Sequence, residues 1–301
     1  MRAMSRRFFT GAMTAFALVT GSAHADDQRP LKVVASFSVL ADLVRSVGGE
    51  RIKLTTLVGP GGDAHVYTPT PADAQTVASA SLLITNGLGF EGWLPRLVAS
   101  TGNRATVVEA TNGIRPRKAE SERGRDSIDP HAWQSVANAK VYVGNIRDAL
   151  VAADPAGAGA YAANASAYLK QLDQLDGEIR EAVAKIPPAR RQVVSTHDAF
   201  GYFADAYAIT FVAPQGVSTD TEPTAKDIAA IIMLVRAARI PAVFLEKLGD
   251  VRLIGRIASE TGARIGGTLY SDSLTPAGGE APTYIEMMKH NIRELTRALA
   301  D

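Results

Sequence analysis

The sequence predicts an α/β fold of two lobes, each a mostly parallel sheet flanked by helices, joined by one long rigid linking helix. Three observations lead there. Short β-branched runs alternate with helical patterns over residues 32–109, as parallel strands covered on both faces do. One apolar face then persists at helical spacing over 155–186. After Pro187-Pro188 the alternation begins again. The expected division is 26–154 for the first lobe, 155–187 for the linking helix and 188–301 for the second lobe.

In the first lobe, strands are expected at 32–37 (KVVASF), 53–58, 81–85 (SLLIT) and 105–109 (ATVVE). Helices are expected at 39–47, at 71–79 with Pro71 near its first turn, and at 92–100. The polar stretch 114–129 carries Pro116 and Gly124 and is read as an exposed loop, followed by helix over 135–153. The linking helix repeats Tyr161, Ala165, Tyr168, Leu172, Leu175, Ile179 and Val183 at three- and four-residue steps. It must stop at Pro187-Pro188, because proline lacks the amide donor and disfavours helix in the residue before it. In the second lobe, strands are expected at 192–196, 210–213, 242–246 (AVFLE) and 264–270, with helices at 199–207, 224–238, 251–261 and 283–299. The segment Pro223-Thr-Ala-Lys-Asp227 echoes Pro69-Thr-Pro-Ala-Asp73, each opening a helix. Two such lobes enclose a cleft lined by loops at the carboxyl ends of the strands, where ligands bind.

The chain has 301 residues, a formal charge of +1 and no cysteine. Without cysteine there is no disulfide framework, thiolate metal site, iron–sulfur cluster, cysteine nucleophile or thioether-linked lipid. The near-neutral charge carries no electrostatic footprint for nucleic acid. Arg2, Arg6 and Arg7 precede an apolar stretch of about 14 residues and a small-residue site at Ala23-His24-Ala25. This is read as a secretory signal peptide, 1–25, because a spanning helix needs about 20 residues. Ser5-Arg-Arg-Phe-Phe9 partly resembles a twin-arginine signal, so the general secretory route and the twin-arginine route stay open. Cleavage would remove three arginines and no acid from 32 basic and 31 acidic residues, leaving −2. The expectation is a freely diffusing periplasmic monomer with no membrane insertion.

Any metal must then be held by His, Asp or Glu. Of the five histidines, His24 leaves with the signal peptide, and His290, between Lys289 and Asn291, is read as a solvated surface residue. The other three, His65, His131 and His197, fall at strand–helix or loop–helix junctions. Asp272, just past a strand in Tyr270-Ser-Asp-Ser-Leu274, is a candidate fourth ligand, and Glu246, ending AVFLE, competes with it. Three imidazoles and a carboxylate suit Zn²⁺ and can hold Mn²⁺, whereas Mg²⁺ and Ca²⁺ prefer oxygen. Two ligands from each lobe would make the ion a pin across the cleft.

These residues resemble the periplasmic metal-binding proteins of zinc and manganese ABC transporters, the ZnuA/TroA/PsaA-like cluster A-I family. The likeness spans about residues 30–300. It rests on Gly59-Pro-Gly-Gly-Asp-Ala-His65 with Tyr67 and Pro69-Thr-Pro71, Asp129-Pro-His-Ala-Trp133, Thr196-His-Asp-Ala-Phe-Gly-Tyr-Phe203 and Tyr270-Ser-Asp-Ser-Leu274. The resemblance implies one buried metal in the interlobe cleft, with His65, His131, His197 and Asp272 as ligands. It also implies an inner-membrane ABC permease as partner, with a periplasmic metallochaperone as a further candidate. Many zinc-specific members carry a histidine-rich loop before the second ligand; here 114–129 has no histidine. Members often continue the tryptophan motif with Leu-Asp-Pro, where this chain has Gln134-Ser135-Val136. Manganese members often have glutamate as the third ligand, so His197 favours zinc.

The expected function is therefore non-enzymatic capture and delivery of zinc, with a manganese carrier as the alternative. A zinc hydrolase is the alternative of a different class. It would need an open coordination position and a base such as Asp198 or Glu246, and no His-Glu-x-x-His motif occurs. A binding protein for an organic ligand would need more than 6% aromatic residues to line its pocket, and Trp93 and Trp133 are read as core candidates.

Overall fold

A computed structural model of the chain describes residues 29–102, 105–119 and 127–300. The signal peptide expected at 1–25, with His24, lies outside the described residues, as does 120–126 of the polar stretch. Among the described residues no helix is long and apolar enough to cross a membrane.

The first half of the chain runs β1 (Leu31–Phe37), α1 (Ser38–Gly48), β2 (Ile52–Val58), α2 (Pro71–Ala78), β3 (Leu82–Thr85), α3 (Leu94–Thr101) and β4 (Thr106–Glu109). Its strands pair in parallel in the order β2-β1-β3-β4. The short strands β5 (Arg117–Lys118) and β6 (Ile128–Asp129) pair antiparallel, and α4 (Val136–Ala153) and α5 (Ala158–Ala184) follow. The second half runs β7 (Gln192–Val194), α6 (Gly201–Tyr207), β8 (Thr210–Val212), α7 (Ala225–Ala238), β9 (Ala242–Glu246), α8 (Val251–Thr261), β10 (Arg264–Leu269) and α9 (Tyr284–Leu299). Its parallel sheet has the order β10-β9-β7-β8. Read from the other edge, that is the topology of the first sheet: second strand, first, third, fourth. Each sheet therefore reverses direction between its first and third strands, and the crevice at that point opens toward the strands' carboxyl ends.

The linking helix α5 buries Tyr161, Ala165, Tyr168, Leu172, Leu175, Ile179 and Val183, the face its periodicity predicts. It packs on α1, α4 and α9, and one continuous core joins its apolar face to both sheets. Fully burying one such leucine contributes about 1.5–3 kcal/mol, so the two halves are tied by the helix over its whole length. The outer faces of the sheets have separate cores, under α2 and α3 in the first half and under α7 and α8 in the second.

The echoed pentapeptides have one physical cause. Thr70 and Thr224 are the N-caps of α2 and α7, and each exchanges hydrogen bonds with the aspartate three residues on, Asp73 or Asp227. Both are capping boxes, which satisfy amides that the first helical turn leaves unpaired.

Two expectations need correction. His290 is 7% exposed rather than solvated: its Nε2 lies 2.9 Å from the Thr268 carbonyl and its ring packs edge-on to Tyr270. It stands three residues after Met287 and so shares that helix's buried face. The stretch 114–129 is also not simply an exposed loop. Ile114 and Asp129 are buried, and β5 and β6 pin its two ends together.

Candidate metal centre

His65, His131, His197 and Asp272 converge. Each offers a donor atom, and these atoms all lie within 4.8 Å of one another. His65 Nε2 is 3.2 Å from His131 Nε2 and 3.5 Å from Asp272 Oδ2. His131 Nε2 is 3.4 Å from Asp272 Oδ1, and His197 Nε2 is 3.1 Å from Asp272 Oδ2. A tetrahedral ion bound at ~2.0–2.2 Å separates its donors by about 3.3–3.6 Å, close to these spacings. The four side chains are at most 4% exposed. His197 Nε2 and both Asp272 oxygens are buried without a well-formed hydrogen bond, which a protein rarely tolerates unless another group completes the site.

Each donor is set by a junction. His65 follows β2 on the Gly-Pro-Gly-Gly loop. Its backbone N–H donates to Asp63 Oδ1 at 2.9 Å, and Trp93 Nε1 donates to the carbonyl of Ala64 at 2.8 Å. His131 is gripped through Asp129, whose Oδ1 accepts its backbone N–H at 3.0 Å and lies 2.8 Å from its Nδ1. Asn86, at the end of β3, donates to the Pro130 carbonyl at 2.9 Å. Arg117 backs Asp129 at 3.4 Å, and a Cβ on Gly201 would fall 2.4 Å from that guanidinium and 2.6 Å from Asp129 Oδ2, so any larger residue there would displace the pair.

His197 follows β7 and meets Glu246, the last residue of β9, at the reversal point of the second sheet. Glu246 Oε1 accepts the amides of Thr196 and His197 at 2.7 and 2.9 Å. Its Oε2 lies 2.7 Å from His197 Nδ1. Glu246 thus stands behind the imidazole, outside the donor cluster that contains Asp272. It orients the ring and leaves Nε2 as the free donor. Replacing Glu246 with Gln would set an amide against Nδ1–H, and we expect metal affinity to fall by about 10–100-fold, read by calorimetric titration.

Asp272 follows β10, yet the first half of the chain anchors its loop. Trp133 Nε1 and Gln134 Nε2 donate to the Ser271 carbonyl at 2.9 and 2.8 Å. Gly61 N donates to Ser273 Oγ at 2.6 Å, and Leu274 N to Ser38 Oγ at 3.0 Å. The cleft is therefore pinned by protein hydrogen bonds as well as by whatever the donors hold.

The electrostatics fit a cation site. Burial pushes the His65 imidazole below its ordinary pKa. Burial acts the same way on His197, but the carboxylates of Glu246 and Asp272 override it and hold His197 well above the usual range. Burial disfavours the charged Asp272, yet His197 and His131 beside it hold the carboxyl well below its ordinary value. Burial raises Asp198, one of the two candidate hydrolytic bases; the other, Glu246, is occupied behind His197.

Sequence reasoning missed the roles of Asp129, Asn86, Trp133 and Gln134. The Asp-Pro-His spacing carried a signal for Asp129, since a carboxylate two residues before an imidazole can reach its Nδ1. The contacts of Asn86 and of Trp133 with Gln134 had no local signal.

The family model described as the periplasmic zinc-uptake complex component A, ZnuA, matches residues 33–298. The chain is 38% identical over 275 residues to the manganese-binding lipoprotein MntA of Halalkalibacterium halodurans, covering 91% of this chain and 90% of that one. It is 32% identical to the iron-binding protein YfeA of Yersinia pestis, covering 90% of this chain and 87% of that one. The periplasmic zinc-binding protein TroA of Treponema pallidum has a similar structure, with a TM-score of 0.85 at 30% identity, covering 91% of this chain and all of that one. The chain belongs to this family of metal-binding, extracytoplasmic substrate-binding components of ABC transporters, which work with a membrane permease and its ATPase and are not enzymes.

Proposed function

We propose that the chain captures a divalent transition-metal ion with His65, His131, His197 and Asp272, prefers zinc, and delivers it to the permease. The convergence of four buried donors, whose atoms all lie within 4.8 Å of one another, carries this reading. Three imidazoles raise preference for zinc over manganese, which stands lower in the divalent affinity order. Manganese is the second reading, favoured by relatives named for that metal. Asp272 also presents one oxygen to His131 and the other to His65 and His197, so a bidentate carboxylate could serve a larger coordination shell.

One chain supplies all four donors, so the proposed site needs no second copy and the working unit is read as a monomer, with lobes at 26–154 and 188–301 about the helix at 155–187. The relatives named as lipoproteins carry a lipid, but these 301 residues include no cysteine to accept a thioether-linked one. The proposed export signal is the 1–25 segment.

The test is titration of the chelator-stripped protein with zinc and with manganese near pH 7 and near pH 5.5. One equivalent of either should bind, and zinc should displace manganese. Affinity should fall at the lower pH, because donors with intrinsic pKa of ~6.5 must shed their protons before they ligate. The raised His197 adds a sign. The carboxylates of Glu246 and Asp272 favour its protonated form, so a proton competes with the ion there and binding should release protons into solution. Equal affinity at both pH values would remove histidine ligation from the reading, and manganese displacing zinc would reverse the metal assignment.

A further inference from the structure

Two residues before His65, Asp63 uses both carboxylate oxygens. Oδ1 accepts the backbone N–H of His65 at 2.9 Å, and Oδ2 accepts the hydroxyl of Thr219 at 2.8 Å. Thr219 lies in the loop between β8 and α7, and that loop is fastened to the third histidine. His197 and Gln215 form a parallel bridge, and Asp198 N donates to the Gln215 carbonyl at 3.1 Å. The Gln215 amide donates in turn to the carbonyls of Thr219 and Thr221, at 3.3 and 3.0 Å. A hydrogen-bonded path thus runs from His65 through Asp63, Thr219 and Gln215 to His197, outside the four donors.

The donors are unequally mounted. His65 and His131 sit on the first half of the chain, and the Asp272 loop is bonded to that half through Trp133, Gln134, Ser38 and Gly61. His197 is held by Glu246 within the second sheet. Moving the second sheet's loops outward would take His197 off a platform of three donors, and it would have to break the Asp63–Thr219 hydrogen bond.

We propose that Asp63 and Thr219 form a latch that holds His197 against the other three donors and sets how fast the captured ion leaves. This deepens the metal-capture reading and rests on it. Both are positioning residues, since neither is among the clustered donors. A hydroxyl bonded to a carboxylate is stronger than a neutral pair, and both residues are half-buried. Losing this bond should speed release by about tenfold.

The experiment follows zinc release to a chromophoric chelator by stopped flow. Thr219→Val, which keeps the shape and loses the donor, should release zinc about tenfold faster than the parent. Thr219→Ser should restore the slow rate, which a purely packing role would not do. In an Asp63→Ala background Thr219→Val should change nothing further, because the bond is already gone. The latch is overturned if Thr219→Val releases at the parental rate, or if Thr219→Ser releases as fast as Thr219→Val, with one ion still bound by each. Failure of the parent protein itself to bind zinc would instead overturn the metal-capture reading, and the latch with it.

Discussion

Replacing His197 with alanine is expected to lower zinc affinity by at least about a thousandfold, or ~4 kcal/mol. Removing a residue that merely orients a ligand costs about 10–100-fold, and His197 is proposed as the ligand itself. Its loss would leave Asp272 with His65 and His131 as neighbours at 3.5 and 3.4 Å and would remove the donor 3.1 Å away. Glu246 would also lose the imidazole that faces its Oε2. A buried carboxylate without its partner is costly, although Glu246 keeps the amides of Thr196 and residue 197. Calorimetric titration reads the affinity, and circular dichroism of the same sample reports whether the fold persists. His197→Gln, which fills the space and keeps a weaker donor, should bind better than the alanine variant. One equivalent of tightly bound zinc in His197→Ala would refute the site as drawn.

Trp133→Ala should destabilise the protein by about 3–5 kcal/mol, as large-to-small changes of fully buried aromatics do. Trp133 is fully buried. Its ring packs against Phe37, Phe90 and His131, with centroids 4.9, 5.0 and 5.2 Å away. It also donates its indole N–H to the Ser271 carbonyl, and its own carbonyl accepts the Tyr284 hydroxyl. The side chain thus supports one proposed donor by packing and a second through its loop. Trp133→Phe keeps most of the packing but loses the N–H, while Gln134 still donates to the same carbonyl. That variant should lose only about 1 kcal/mol of stability. Denaturant melts give the two stabilities, and unchanged stability in Trp133→Ala would mean that the core does not close around this ring.

The two substitutions mark different kinds of information. His65, His131 and His197 could be singled out without coordinates, because each lies in a short motif at a junction and imidazoles are scarce in this chain, whereas only the family resemblance preferred Asp272 to Glu246. Trp133 could be quoted in a motif, but its hydrogen bond to Ser271 spans 138 positions and has no local trace. Glu246 is the sharper lesson. As a residue type it was as plausible a ligand as Asp272. Its place behind His197 depends on β9 lying next to β7, a pairing set by sheet order and not by local pattern.

His290 failed for a related reason. Lys289 beside it in sequence and Arg293 one turn on are polar, while Met287, one turn before it, is buried. The packing of α9 against β10 supplied the Thr268 carbonyl that satisfies it.

Periodicity, proline stops, capping residues and donor chemistry act over a few residues, so the strands, the long helix, the echoed helix openings and the three candidate histidines could be read from the chain itself. The partner of each imidazole, the anchoring of the Asp272 loop on the opposite half and the Asp63–Thr219 bond needed the folded protein. Each joins residues far apart in sequence, and their contact is decided by how two sheets and one long helix pack.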